Sequence, residues 1–283
     1  NNAADGGVQW PWYLGLYGNY TIWNYAVAGA ACSLALTPQT KNVPDVISGQ
    51  PAWFIQDHVS FPGAKQQRLD MNPDEFVAII WIGTNDCGEK TYITDNQSAN
   101  VSLADVAHCQ VRALRNLYAL GARRFILNSM APLPLTPLYS TSSAPSIYAP
   151  APHNGTEWHK RMFNFANTMN AMLRAGVDAL RAEWGHSATV GFFDTYTFLS
   201  DIYNNPTPFF NGSIPANVTG HCNQCNPNNS SQCTRCVFGL GSCPVAERDS
   251  YMWWDELHPS EQTGRNLARE IFHAVEGRSK YLG

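Results

Sequence analysis

Phe76-Val77-Ala78-Ile79-Ile80-Trp81-Ile82-Gly83-Thr84-Asn85-Asp86 decides how the rest of this chain folds. Its seven leading residues are apolar and rich in Val and Ile. Such a run reads as a strand buried on both faces, as in a parallel sheet covered by helices. The run stops at Gly-Thr-Asn-Asp, which therefore falls at the strand's carboxyl end, where open α/β sheets bind their ligands. A side-chain amide at that point can donate a hydrogen bond to a reacting group. The plainer reading is a strand followed by an ordinary Asn/Asp turn.

The neighbouring segments continue the α/β pattern. Ser102 is placed to cap a helix over Leu103–Leu120, whose apolar residues follow helical spacing and which Gly121 ends. Phe125-Ile126-Leu127 is the next buried strand, which makes strand, helix and strand a right-handed βαβ unit. Thr156 caps a long helix from Glu157 to Trp184, stopped by Gly185; Val190–Phe193 is a further strand, ended by Asp194. A short helix is expected over about 195–203 and another around 52–59, with a short strand from Trp23 to Val27.

Near the other end lies Trp253-Trp254-Asp255-Glu256-Leu257-His258-Pro259, followed by a helix from Ser260 or Glu261 to Glu276 and its terminator Gly277. An Asp three residues before a His can fold back onto the ring, fix its tautomer and leave the other nitrogen to act as a base. A surface His beside an acid is also common, and neither motif is specific alone.

Together they resemble the SGNH (GDSL-type) hydrolases. Gly83-Thr84-Asn85-Asp86 is similar to that family's G-x-N-D block and Asp255-Glu256-Leu257-His258 to its D-x-x-H block. Asn24-Tyr25-Ala26-Val27-Ala28-Gly29-Ala30 is similar to the block whose glycine offers a backbone N–H to the oxyanion hole. The order of the blocks and the Trp81-Ile82 and Trp253-Trp254 flanks resemble the fungal acetylesterases of carbohydrate esterase family sixteen. The resemblance covers roughly the whole chain. It implies a three-layer α/β/α fold of flavodoxin-like type with a central, mostly parallel sheet. It also implies His258 as catalytic base, Asp255 as its orienting acid, and Gly29 and Asn85 as oxyanion-hole donors. Asp86 is expected to brace the Asn85 turn.

At one point the resemblance fails. These enzymes open with a strand ending in Gly-Asp-Ser, whose serine is the nucleophile, and residues 1–283 contain no Gly-Asp-Ser and no G-x-S-x-G elbow. The segment Gly7–Leu14 resembles a stretch that lies downstream of the serine in the family. The expectation is that an N-terminal piece with the first strand and the serine is missing from the given residues, either as a companion peptide still docked or as a segment left off. The other explanation is a homologue that has lost its nucleophile.

Composition narrows the class. The chain has 283 residues, 18 basic and 22 acidic, and a formal net charge of −4. That length suits one large α/β domain, and residues 1–283 read as a single SGNH-hydrolase domain with a Cys/Asn-rich insert at about 205–250. The charge gives no basis for nucleic acid or an acidic membrane as partner, and no apolar run approaches the ~20 residues of a spanning helix. No metal or organic cofactor is implied.

N-x-S/T sequons occur at Asn19, Asn96, Asn100, Asn154, Asn211, Asn217, Asn228 and Asn229, a density that suggests a secreted, extracellular glycoprotein. Adjacent Asn228 and Asn229 are expected to carry one glycan between them. Eight cysteines, Cys32, Cys87, Cys109, Cys222, Cys225, Cys233, Cys236 and Cys243, fit an oxidising compartment and read as disulfides. Cys222-x-x-Cys225 and Cys233-x-x-Cys236 also look like zinc knuckles, but seven residues between the pairs is short against the ~15–20 of zinc ribbons. If all eight pair, at least one bridge must join the insert to the three upstream cysteines.

The reaction implied is acyl transfer from an ester to water. An acetylated carbohydrate such as a xylo-oligosaccharide is the substrate the resemblance suggests. A lipase or short-chain esterase, and an inactive carbohydrate-binding homologue, are the alternatives. Trp10, Trp12, Tyr13, Tyr17 and Tyr20 are either core packing or a platform for sugar faces. The Pro- and Ser-rich stretch over 131–152 is a long loop of the kind that grips substrates.

Overall fold

The computed structural model describes residues 7–39, 43–60, 68–234 and 245–283. Its elements in chain order begin with helices α1 (Trp10–Gly18) and α2 (Gly49–His58), a hairpin of β1 (Val59–Ser60) and β2 (Arg68–Leu69), strand β3 (Ala78–Ile80) and the single turn α3 (Thr84–Cys87). Then come α4 (Leu103–Leu120), β4 (Arg124–Asn128), α5 (Gly155–Trp184), β5 (Thr189–Phe193) and α6 (Thr195–Asn204). Strands β6 (Asn217–His221), β7 (Gln224–Asn226) and β8 (Asn229–Thr234), helix α7 (Val245–Arg248), β9 (Tyr251–Trp253) and α8 (Glu261–Val275) complete the chain. Two compact units are drawn from this order, each from three separate stretches.

One unit takes residues 24–131, 164–195 and 281–283. It holds a parallel sheet in the order β3-β4-β5, with Ala78 opposite Phe125 and Phe125 opposite Val190. The α/β class with a parallel sheet is thus the observed one. Strand β4 is apolar and buried from Phe125 to Leu127 because helices cover it. Helix α4 starts at a capping box, in which Ser102 N–H donates to Asp105 at 2.8 Å, and stops at Gly121 with φ 117°. Its buried stripe is Val106, Ala107, Val111 and Leu114. Gly176 of α5 lies against Val111, where an added Cβ would sit 2.4 Å from the valine methyl, so only glycine allows this approach. Trp184 closes the layer, stacked on Tyr118 with centroids 4.6 Å apart.

The other unit takes residues 1–23, 132–163 and 196–280. Its centre is the parallel pair β6–β9, fixed by Trp253 Nε1 donating to Val218 O at 2.7 Å. Helix α8, capped by Ser260, buries Leu267, Ala268, Ile271 and Ala274. It holds α1 through polar links: Tyr20 donates to Glu276 at 2.7 Å, and Tyr13 to Glu261. Strands β7 and β8 form an antiparallel hairpin bridged by Cys225–Cys233.

Several expectations need correction. Residues 23–27 form no strand: Asn24 Oδ1 accepts the Ala26 N–H at 3.1 Å, a local turn that competes with extension, and Trp23 is exposed. The apolar run over 76–82 yields only three strand residues, of which Ala78 and Ile79 are half-buried, because pairing with β4 covers that length alone. The helix expected around 52–59 begins three residues earlier, at Gly49. Cys87 is a free, buried thiol, whereas Cys32 bonds to Cys109. All three upstream cysteines are thereby accounted for, so none of them bridges to the insert, and the expected link fails because its premise, that all eight pair, fails at Cys87. Cys222 is also disulfide-bonded; Cys236 and Cys243 lie outside the described residues. The bridge between Cys225 and Cys233 takes one cysteine from each suspected zinc knuckle.

Candidate active site

The Asp255–His258 pair sits in a short turn between β9 and α8. The turn is closed by Trp254 N–H donating to His258 O at 2.7 Å, and flanked by Ser260 N–H to Met252 O at 2.9 Å. Asp255 is 3% exposed. Its Oδ1 accepts the backbone N–H groups of Leu257 at 2.9 Å and His258 at 2.7 Å. Its Oδ2 accepts the Tyr148 hydroxyl at 2.7 Å. The His258 ring turns its Nδ1 to the same carboxylate, 3.1 Å from Oδ1 and 3.0 Å from Oδ2. Burial pushes the Asp255 carboxyl up, but the His258 ring, the His258 N–H and the Tyr148 hydroxyl more than offset it and hold it below the ordinary carboxylate range. An ionised Asp255 keeps the proton on Nδ1, so Nε2 is the nitrogen presented as a base.

In the other unit, the structure joins Asn85 to the turn that carries Gly29. Asn85 follows β3 through Gly83, whose φ of 124° sets the sharp exit from the strand. The Asn85 Nδ2 donates to Ala30 O at 2.9 Å, which occupies one of its two hydrogens. Gly29 has φ 83°, is exposed, and has nothing within 4 Å of where a Cβ would be. Its N–H finds no acceptor among the described residues, while the next N–H, of Ala30, donates to Val27 O. A backbone N–H and a carboxamide N–H, one residue apart along this contact, are what an oxyanion requires.

Asp86 holds that arrangement from below. It is fully buried and accepts Cys32 N–H at 3.1 Å on both oxygens and Thr37 Oγ1 at 2.7 Å. It therefore braces the chain just after Gly29. Burial dominates its titration and pushes it up to about 6, despite these donors. The Cys32–Cys109 disulfide fastens the same segment to α4.

Tyr148 is the site residue that sequence reasoning missed. It lies in the loop over 131–154, in a turn where Ser146 Oγ accepts Tyr148 N–H at 3.3 Å and Ala149 N–H at 3.1 Å. Nothing in that Pro- and Ser-rich stretch has a period that marks one tyrosine. Of the sequon asparagines, Asn19, Asn96, Asn100, Asn154, Asn211, Asn228 and Asn229 are exposed. Asn217 is half-buried, and its Oδ1 accepts Thr219 N–H at 3.2 Å and Gly220 N–H at 2.7 Å. No group of three or more metal-ligating side chains occurs among the described residues. No helix among them is long and apolar enough to cross a membrane.

Comparison with known proteins supplies the family. The sequence matches the model of the family described as GDSL-like Lipase/Acylhydrolase over residues 3–271. An acetylesterase of Hypocrea jecorina is 30% identical over 99% of this chain and 80% of its own length. An acetylesterase of Thermothelomyces thermophilus is 24% identical over 97% of this chain and 77% of its own. A GDSL esterase/lipase of Arabidopsis thaliana, LTL1, is 28% identical over 78% of this chain and 55% of its own.

Proposed function

We propose, because this chain belongs to the GDSL-like lipase and acylhydrolase family and is a carboxylic ester hydrolase, that it is a secreted enzyme removing acetyl groups from carbohydrates such as acetylated xylo-oligosaccharides. The observation that carries the reading is the Asp255–His258 pair, with Nδ1 held 3.0 Å from a buried carboxylate.

The chemistry is set by the residues. His258 takes the proton of a serine hydroxyl as the oxygen attacks the ester carbonyl, and Asp255 stabilises the imidazolium that forms. The carbonyl oxygen becomes an oxyanion, met by the second Nδ2 hydrogen of Asn85 and the N–H of Gly29. Collapse of the tetrahedral intermediate expels the sugar alcohol, which leaves with the proton from His258. Water then attacks the acyl-serine by the same steps in reverse. The serine is proposed to belong to a Gly-Asp-Ser block outside residues 1–283, since these contain none.

Support for an acetyl group comes from the two fungal relatives, each named as an acetylesterase. Support for secretion comes from the Cys32–Cys109 and Cys225–Cys233 disulfides and the exposed sequons. The test is acetate release from acetylated xylo-oligosaccharides by the full-length protein, beside hydrolysis of 4-nitrophenyl acetate, butyrate and octanoate. Acetate release with a preference for the acetyl ester supports the reading. Preference for octanoate without acetate release replaces it with a lipase. Loss of all hydrolysis leaves the inactive carbohydrate-binding alternative.

A further inference from the structure

We infer that Tyr148 is a positioning residue of the acid–base pair, a third polar partner that holds both Asp255 and the His258 ring in their working relation. The inference rests on the esterase reading for its kinetic consequence, but its geometry is independent of that reading.

The Tyr148 hydroxyl touches both members of the pair. It donates to Asp255 Oδ2 at 2.7 Å, and its oxygen lies 3.1 Å from His258 Nδ1. With the hydroxyl proton committed to the carboxylate, that oxygen can only accept from Nδ1–H. The ring proton is thus shared between a carboxylate and a phenol oxygen, and Tyr148 closes a three-membered cycle of polar contacts. The consequences run in both directions. Asp255 gains a fourth donor, beside the His258 ring and the Leu257 and His258 amides, so its buried negative charge is fully paired. Without the hydroxyl, Oδ2 keeps only the ring. The His258 ring, half-exposed and hinged on its own χ angles, gains a second acceptor that restrains its rotation.

The loop that brings Tyr148 here is anchored on the same turn at one further point. Leu138 N–H donates to Glu256 O at 2.8 Å. This contact and the Tyr148 hydroxyl tie the otherwise irregular loop over 131–154 to the catalytic turn. The tilted contact of the Tyr148 and His258 rings, with centroids 5.8 Å apart, adds a face for the imidazole to rest on.

The test uses the full-length protein and Tyr148→Phe, which keeps the ring and removes the hydroxyl. With 4-nitrophenyl acetate as probe, kcat is expected to fall about tenfold with KM unchanged, the size expected from part of one charge-assisted hydrogen bond, while Tm stays within a few degrees. In parallel, ¹⁵N NMR of the histidine rings reads the His258 tautomer. Wild type is expected to show Nδ1–H alone, and the variant a mixture with Nε2–H. A kcat within twofold of wild type together with an unchanged single tautomer overturns the inference. Should wild type hydrolyse nothing, the esterase reading fails, and the tautomer result alone decides the role of Tyr148: a mixture in the variant supports it and a single tautomer overturns it.

Discussion

Asn85 and Gly29 meet through one backbone carbonyl: the Asn85 amide donates to Ala30 O at 2.9 Å, and Ala30 is the residue after Gly29. Two blocks separated by more than fifty residues of chain are thereby fixed as one donor site. The contact uses one amide hydrogen to position the turn and leaves the other for the oxyanion of the proposed mechanism.

Removing that amide should therefore hurt turnover more than binding. Asn85→Ala is expected to lower kcat by ~10²–10³ in the full-length protein, the range for one oxyanion donor. KM should change little. Steady-state kinetics on 4-nitrophenyl acetate check this; near-normal kcat would remove Asn85 from the oxyanion site.

Asp255 acts through the ring it orients. Asp255→Asn should leave the turn folded, because the carboxamide oxygen can still accept the Leu257 and His258 N–H groups. The amide nitrogen now offers a hydrogen where Nδ1–H needs an acceptor, so the ring adopts the wrong tautomer. A fall in kcat on the order of 10⁴ is expected, with the circular dichroism spectrum unchanged.

Asp86 and Asp255, both buried, give opposite pH dependences. Asp86 has its folded pKa raised, by burial, to about 6. The folded state therefore binds its proton more tightly than the unfolded chain, and the stability it contributes is present below the unfolded value of ~3.9 and lost as pH rises through about 6. Asp255 has its folded pKa lowered, so its contribution is present above ~3.9 and lost as pH falls further. Urea unfolding of wild type and Asp86→Asn between pH 4 and 7 should show the wild type losing on the order of 1–3 kcal/mol relative to the variant across that window. Parallel curves would contradict the assignment.

The Cys32–Cys109 bridge closes a span of 77 residues that includes Asn85. Replacing both cysteines by serine is expected to cost roughly 2–5 kcal/mol. Because Cys32 N–H is also a donor to Asp86, kcat should fall as well. Denaturant midpoints and kinetics on the same preparation check both.

The sequons differ in exposure: Asn217 is half-buried and the other seven asparagines are exposed. Under the secreted-glycoprotein reading, Asn217 is expected to be the sequon left unmodified, because its side chain is half-buried and tied to the β6 backbone where the other seven are exposed. Peptide mapping after enzymatic deglycosylation in ¹⁸O water reads each site separately; label at Asn217 would show that this turn opens before the glycan is added.

Where local physics decides, the sequence was a good guide. Helix α4 has the bounds its Ser102 cap and Gly121 stop imply, and α8 begins after Ser260 as its cap residue predicts. Asp255 and His258 meet because three residues is the reach of one tight turn. What was not legible depends on distant or side-chain partners. The strand expected over 23–27 is decided by the Asn24 side chain turning back on its own backbone. Strand β3 is as long as its pairing with β4 and no longer. Cys87 looked like the other cysteines, yet its thiol is enclosed in the core without a second sulfur. Tyr148 reaches Asp255 across 107 positions of chain, and no spacing encodes that.

The central claim is that His258, oriented by Asp255, moves the proton in ester hydrolysis. The most direct measurement is kcat of the full-length protein on 4-nitrophenyl acetate for wild type and His258→Gln, with folding confirmed by Tm. The predicted result is a loss of at least ~10³ with Tm near wild type. Activity within tenfold of wild type would show that another base does the work and would contradict the claim.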